Sequence, residues 1–279
     1  MTPVVRVFPD PVALGEALAD EIVAGIASAG AAGRQYLLGC PGGRSPQTTY
    51  QALARRVAGM DLRHVTIVMM DDYLLPAPGG GWWRAPADAH YSCERFARED
   101  IAAVLNVHAA HPIPRDQVWL PEPADPAAYE ARIAAAGDVD VFIVASGASD
   151  GHVAFNPPGT PLDSGPWIVP LAETTRRDNM ATFPDFPSLD AVPTHGVSMG
   201  LGTIIRRSRS VRLVIHGDGK RTAAARVLAA TGFDPAWPAT FIHSCPEASI
   251  WLDQAALRGG HEAKRPADVR DGVATEENG

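Results

Sequence analysis

The sequence predicts an α/β fold: an open, mostly parallel sheet with helices on both faces. Three observations carry that prediction, namely short continuous apolar runs, glycine turns or carboxylates where the runs end, and helical periodicity in the segments between them. The first helical segment starts at Pro11, where Leu14, Leu18, Ile22 and Ile26 recur four apart in an Ala-rich stretch that Gly30 and Gly33 end. The run from Tyr36 to Gly39, a Gly-Gly-containing loop and a second helical pattern from Gln47 make half of a parallel unit. Val65 to Met70 is a continuous apolar run of the kind a parallel sheet buries on both faces, and Val139 to Ser146 repeats it. Val211 to Ile215 leads through Gly-Asp-Gly into a helix from Arg221, and Ala248 to Leu252 into a helix from about Gln254. In Rossmann-like sheets of this kind ligands bind at the carboxyl ends of strands, which is where the polar motifs below fall. Two segments lack such patterning: Leu75 to Pro86 reads as an irregular loop suited to a lid, and Pro157 to Pro187 as a long Pro-rich connection.

A chain of 279 residues, 46% of them hydrophobic, can bury one large core, so a single α/β catalytic domain over residues 1–258 is the simplest organisation, with a polar, disordered tail over 259–279. A formal charge of -8 without a Lys/Arg stripe argues against nucleic acid and anionic membrane as partners, leaving a small molecule; a homo-oligomer stays open. Cys40, Cys93 and Cys245 are odd in number and far apart, which suits neither a disulfide framework nor a closed zinc site. The nine histidines show no ligand spacing either, so no metal is expected. Met1 to Asp10 has no signal-peptide pattern and no stretch reaches the ~18 apolar residues of a membrane span, so the expected location is the cytoplasm.

Two loops suit a phosphate. Cys40-Pro41-Gly42-Gly43-Arg44-Ser45-Pro46 runs from a strand into a helix, where the Gly42 and Gly43 amides can approach an anion and Arg44 and Ser45 add a guanidinium and a hydroxyl. A strand-to-helix turn that needs glycine for geometry alone explains the same residues, and the pattern matches no nucleotide-binding fingerprint. Gly217-Asp218-Gly219-Lys220 repeats the arrangement with Lys220, and Arg176 offers a further cation; both side chain types are more often simply solvated.

Proton-transfer groups stand at two other strand ends. Asp71 and Asp72 follow Val65 to Met70, where emergence from a buried strand can raise a carboxylate pKa; a turn or cap role is the plain alternative. Asp150-Gly151-His152 closes the run from Val139, and histidine is the side chain best matched to proton transfer near neutral pH. Gly147 to Gly151 also spells Gly-x-Ser-x-Gly, with Ser149 as a nucleophile, but that elbow needs a helix straight after the serine and Pro157-Pro158-Gly159 leaves little room for one.

In order, these segments resemble glucosamine-6-phosphate deaminase, within the superfamily it shares with 6-phosphogluconolactonase, from about Tyr36 to Asp253. Leu38 to Tyr50 is similar to that family's phosphate loop, Met70-Asp71-Asp72-Tyr73 to its Met-Asp-Glu-Tyr, and Tyr91-Ser92 to its short aromatic and serine segment. Asp150 to Asn156 resembles Asp-Gly-His-Ile-Ala-Phe-Asn, and Gly200-Leu201-Gly202-Thr203 resembles Gly-Val-Gly-Thr. The resemblance implies a sugar-phosphate isomerase type of fold and an amino-sugar-phosphate deaminase/isomerase with glucosamine 6-phosphate as default substrate, needing no cofactor. It implies that His152 assists ring opening, Asp71 moves a proton between C2 and C1, and Asp150 orients. The phosphate would be held by Gly42, Gly43, Arg44, Ser45, Arg176 and Lys220.

The departures are local. Pro157 stands where deaminases have the Glu of an Asp-His-Glu constellation, Ala148 stands near a usual glycine, and Arg44 resembles the lactonases. Met-Asp-Asp-Tyr and Ala-Phe-Asn remain deaminase-like. A lactonase-type hydrolase, a related sugar-phosphate isomerase and a noncatalytic sugar-phosphate sensor are the alternatives.

Overall fold

The computed structural model describes residues 2–258 and the strand Val269–Asp271. Its strands, in chain order, are β1 Val4–Phe8, β2 Tyr36–Cys40, β3 Val65–Met69, β4 Asp71–Pro76, β5 Trp82–Arg84, β6 Val118–Trp119, β7 Val141–Ala145, β8 Trp167–Pro170, β9 His195–Ser198, β10 Val211–Ile215, β11 Ala248–Asp253 and β12 Val269–Asp271. Its helices are α1 Pro11–Ala31, α2 Gln47–Arg56, α3 Cys93–Phe96, α4 Val104–Asn106, α5 Pro126–Ala135, α6 Glu173–Thr182, α7 Leu201–Arg206, α8 Arg221–Ala229 and α9 Gln254–Leu257. A π-helical segment, Ala97–Ala103, joins α3 to α4.

The main sheet runs in the order β12-β1-β11-β10-β7-β2-β3-β6, and every pairing in it is parallel. All five residues of β2 and of β3 are buried, which is why their sequences read as almost wholly apolar runs, interrupted in β3 only by Thr66. Alternate residues enter opposite cores: Tyr36, Leu38, Val65, Ile67 and Ile143 pack with α1 and α2, whereas Leu37, Val68, Phe142 and Val144 pack with α5, α7 and α8. Asp10 caps α1 by accepting from the amides of Val12 and Ala13. Leu14, Leu18, Ile22 and Ile26 are fully buried, and Gly15 lets α2 approach so closely that a Cβ there would lie 2.6 Å from the backbone of Thr48.

A second, antiparallel sheet has the order β5-β4-β9-β8. It corrects the reading of Leu75 to Pro86 as an irregular loop: Leu75 and Pro76 end β4, which turns through Ala77 to Gly81 into β5 as a hairpin. Gly79, Gly80 and Gly81 all have positive φ, so they serve a tight reversal. The segment Pro157 to Pro187 likewise holds β8, which is only four residues long, and α6, which buries only Thr175 and so has no apolar stripe to read. The disordered tail expected over 259–279 lies outside the described residues, apart from β12, which pairs with β1. Among the described residues no helix is long and apolar enough to cross a membrane.

The strand order reverses between β2 and β7, since β2 leads to β3 on one side while β7 leads to β10 on the other. The loops that leave their carboxyl ends therefore diverge and open a crevice.

Candidate active site

A cleft of about 510 Å³ fills that crevice, and the loops after the four adjacent strands β10, β7, β2 and β3 line it. The loop after β2 supplies Pro41 to Ser45. It is pinned on one side by Tyr50 of α2, whose hydroxyl donates to the Pro41 carbonyl at 2.9 Å, and on the other by His216, whose Nε2 meets the Ser45 carbonyl at 2.9 Å. Gly43 has φ +82, a conformation glycine adopts without strain. Lys220, after β10, reaches the same end of the cleft and donates to the Ser146 carbonyl. Burial lowers the pKa of Lys220; Asp178 opposes that and Arg44 adds to it. A partly dehydrated ammonium beside a guanidinium, a hydroxyl and glycine amides is a receptor for an anion.

Asp71 occupies the joint between the two sheets. The chain leaves the parallel sheet after Met69, and at Asp71 it enters the antiparallel one, paired with Ser198. The Asp71 carboxylate lines the cleft yet is buried, and this desolvation raises its pKa to about 7. The Cys93 thiol, 3.5 Å from Oδ1, opposes the shift, and the neighbouring Asp72 carboxylate adds to it. Asp72 points away, accepting at Oδ1 from the amides of Tyr73 (2.8 Å) and Cys93 (3.0 Å), while its buried Oδ2 has no partner. Burial raises the Asp72 pKa to about 7 as well, against the pull of those amides.

His152 enters the cleft from the loop after β7. Its Nδ1 lies 2.7 Å from Asp150 Oδ1, and its amide donates to the same oxygen at 3.0 Å. A carboxylate at Nδ1 requires the proton there, so Nε2 is the nitrogen left for a substrate. Burial opposes ionisation of Asp150, but the hydrogen bonds and charge of His152, with Thr174, outweigh it and hold its pKa below the usual carboxylate range. Gly151 permits the turn with φ +71, and Gly147 has no room for a side chain: a Cβ would lie 2.3 Å from His152 Nδ1. Asp150 itself stands behind His152 and outside the cleft wall.

The structure thus brings together Asp71, His152, Gly42, Gly43, Arg44, Ser45 and Lys220, with Asp150 in support. It does not bring Arg176 to them. The Arg176 guanidinium donates to the backbone oxygens of Leu189 (2.5 Å) and Val192 (3.0 Å), because the α6 face toward the cleft carries Asp178, Asn179 and Thr182, and Arg176 is rotated off it. Ser149 is exposed, donates to Asp178 Oδ2 at 3.1 Å and is followed by no helix, which removes the nucleophile-elbow reading. Asp150, His152 and Asp178 are the one group among the described residues whose ligand atoms lie within 4.8 Å of one another. Those atoms are engaged with each other, Thr174, Ser149 and Ala148. Sequence reasoning missed Thr174, Thr175, Asp178, His216 and Cys93 as parts of the site; the threonines and Asp178 flank Arg176, the residue that drew attention there.

A family model described as glucosamine-6-phosphate isomerases/6-phosphogluconolactonase matches residues 9–251. The chain belongs to this family. Among curated members, the glucosamine-6-phosphate deaminase of Mycolicibacterium smegmatis is 36% identical over 259 residues, covering 91% of both chains. That of Shouchella clausii is 33% identical over 229 residues, covering 78% of this chain and 83% of its own. Among solved structures, one described as a monomeric glucosamine-6-phosphate deaminase superposes with a TM-score of 0.76 at 24% identity, covering 92% of this chain and 98% of that one. A 6-phosphogluconolactonase from Trypanosoma cruzi gives 0.64 at 20% identity over 94% and 98%. At those identities the superpositions establish the family's fold, and the site residues must carry the chemistry.

Proposed function

We propose that the protein is a glucosamine-6-phosphate deaminase, converting glucosamine 6-phosphate and water to fructose 6-phosphate and ammonia. One observation supports this reading above the rest: a single cleft holds a buried carboxylate with a pKa of about 7, an oriented imidazole and an anion receptor. The curated relatives of that name, 31–36% identical over most of the chain, support the substrate.

The phosphate sits on the Gly43 and Arg44 amides, the Ser45 hydroxyl and Lys220, and this remote binding positions the reacting carbons. His152 Nε2 takes part in ring opening by relaying the proton between the anomeric hydroxyl and the ring oxygen, while Asp150 stabilises the imidazolium. Asp71, ionised, then takes the C2 proton. Protonation of the enol-type intermediate at C1 leaves an imine at C2, water adds to that carbon, and ammonia departs to give the ketose. A carboxylate near pKa 7 accepts and returns a proton at neutral pH with little driving force lost. Cytoplasmic action fits the three free, buried cysteines.

Incubation with glucosamine 6-phosphate is expected to release ammonia and fructose 6-phosphate in equal amounts. Asp71→Asn should reduce that rate by about 10²–10⁴-fold, the range for removal of a general base. Failure to turn over several amino-sugar phosphates would sink the assignment. The lactonase reading rests on Arg44, which does line the cleft. Hydrolysis of 6-phosphogluconolactone that needs His152 and tolerates Asp71→Asn would establish it instead.

A further inference from the structure

One half of the Asp150 carboxylate is explained by its own turn. Oδ1 accepts twice from His152, at Nδ1 and at the amide, because Gly151 folds Asp150 and His152 back upon each other. By itself that leaves Oδ2 unpartnered and the carboxylate free to rotate. The second half is held by helix α6. Thr174 Oγ1 donates to Oδ2 at 2.5 Å, and Thr175 Oγ1 lies 3.4 Å from Oδ2 and 3.3 Å from His152 Nδ1.

The donors and acceptors balance in one way. Each threonine hydroxyl donates its single proton to Oδ2, so the Thr175 oxygen is left as an acceptor facing Nδ1. The Nδ1 proton then points between Asp150 Oδ1 and Thr175 Oγ1. Without that proton, the Nδ1 lone pair would confront two oxygens. A helical threonine commonly returns its hydroxyl to the carbonyl four residues back, as Thr182 does to Asp178. Thr174 and Thr175 reach across the chain instead, and α6 has no side-chain N-cap for them to complete. One turn further on, Asp178 Oδ2 accepts from the Ala148 amide at 3.3 Å and the Ser149 hydroxyl at 3.1 Å, gripping the other end of the same loop.

We propose that Thr174 and Thr175 are positioning residues that lock the Asp150 carboxylate and, through it, a single Nδ1-protonated tautomer of His152. The lock keeps Nε2 as the nitrogen presented to the cleft. Its consequence for turnover rests on the deaminase reading, but its structural content does not. The same helix supplies Asp178, Asn179 and Thr182 to the cleft wall, so occupancy of the cleft and the aim of His152 are set by one element.

The test compares the parent with T174V/T175V and T174S/T175S, reading imidazole ¹⁵N chemical shifts of the ligand-free protein and steady-state ammonia release from glucosamine 6-phosphate. In the parent and the serine variant, His152 should show one neutral tautomer protonated at Nδ1. In the valine variant it should show a mixture, with kcat lowered about tenfold or more and KM changed less than about threefold. Valine is isosteric with the buried Thr175; should the double variant melt early, T174V alone, at an exposed position, is read in the same way. A valine variant that keeps the single tautomer overturns the proposal, as does a parent with two tautomers or a kcat that serine fails to restore. A parent that releases no ammonia refutes the deaminase reading while the ¹⁵N spectra still decide this one.

Discussion

Asp71 and Asp72 are adjacent, both buried and both raised to about 7, yet only one serves the cleft. The strand's alternation makes the distinction: Asp71 faces the substrate space and Asp72 faces the amides of Tyr73 and Cys93. A base must be ionised to work, so kcat/KM for ammonia release should fall as pH drops through about 7, which a pH-rate profile would reveal. Because the Asp72 charge raises the Asp71 pKa, Asp72→Asn should move that limb to lower pH, whereas a limb unmoved by it would mean another group titrates there. The same logic separates Asp150, held ionised by His152 and Thr174, as support for the imidazole.

At the scale of elements, the site is made by four loops and one helix. The loops after β2 and β10 hand the chain to helices, whereas those after β3 and β7 lead into the antiparallel sheet, and glycine is what lets the loop after β2 turn its amides inward. Ala at position 43 would keep φ +82 only with strain, and its Cβ would meet Thr182 Cγ2 at 3.4 Å. Gly43→Ala should therefore weaken phosphate binding, raising KM about five- to thirtyfold for a strain of ~1–2 kcal/mol, with kcat changed less. A variant with parental KM would show that the loop amides do not bind the phosphate. Helix α6 plays a different part: it lines the cleft with one face and braces the Asp150-Gly151-His152 turn through Thr174 and Thr175.

The whole molecule carries opposing electrostatic costs. Asp71 and Asp72 have folded-state pKa values of about 7, above the unfolded value of about 4, so the native state binds more protons than the unfolded state between those limits. Their contribution to stability is fully present below about pH 4 and is lost as pH rises through about 7. Asp150 has the opposite sign: its pKa is depressed, so its contribution is present above about pH 4 and is lost as pH falls. Asp72→Asn isolates the first effect, since the amide oxygen can still accept from Tyr73 and Cys93. Relative to the parent, the variant should gain stability between pH 5 and 8, by roughly 1–3 kcal/mol at the upper end. Urea melts at several pH values would measure it, and a constant difference across the range would contradict a buried, titrating Asp72.

How much was legible in advance follows from the physical range of each signal. The helix Pro11–Ala31 and the five strands read as apolar runs lie where the sequence puts them, because burial on both faces or along one stripe writes itself locally into residue choice. The anion loop, Asp71 and the Asp150-Gly151-His152 turn were legible for a related reason: they follow directly on such strands. The pairing of β4 with β9 was not, since that partner lies more than a hundred residues away, and the hairpin to β5 was not, since a three-residue strand carries too few side chains for a pattern. Arg176 shows the same limit at one side chain, for its residue type suited phosphate while its place on α6 points it at the Leu189 and Val192 carbonyls. By itself the sequence determined the class of fold, the order of the central strands' loops and the kinds of group they carry. Tertiary structure decided which of those groups share a cleft, that Asp71 is dry enough to titrate near neutrality, and that two threonines hold the carboxylate behind His152, because desolvation and hydrogen bonding depend on distances that only packing sets.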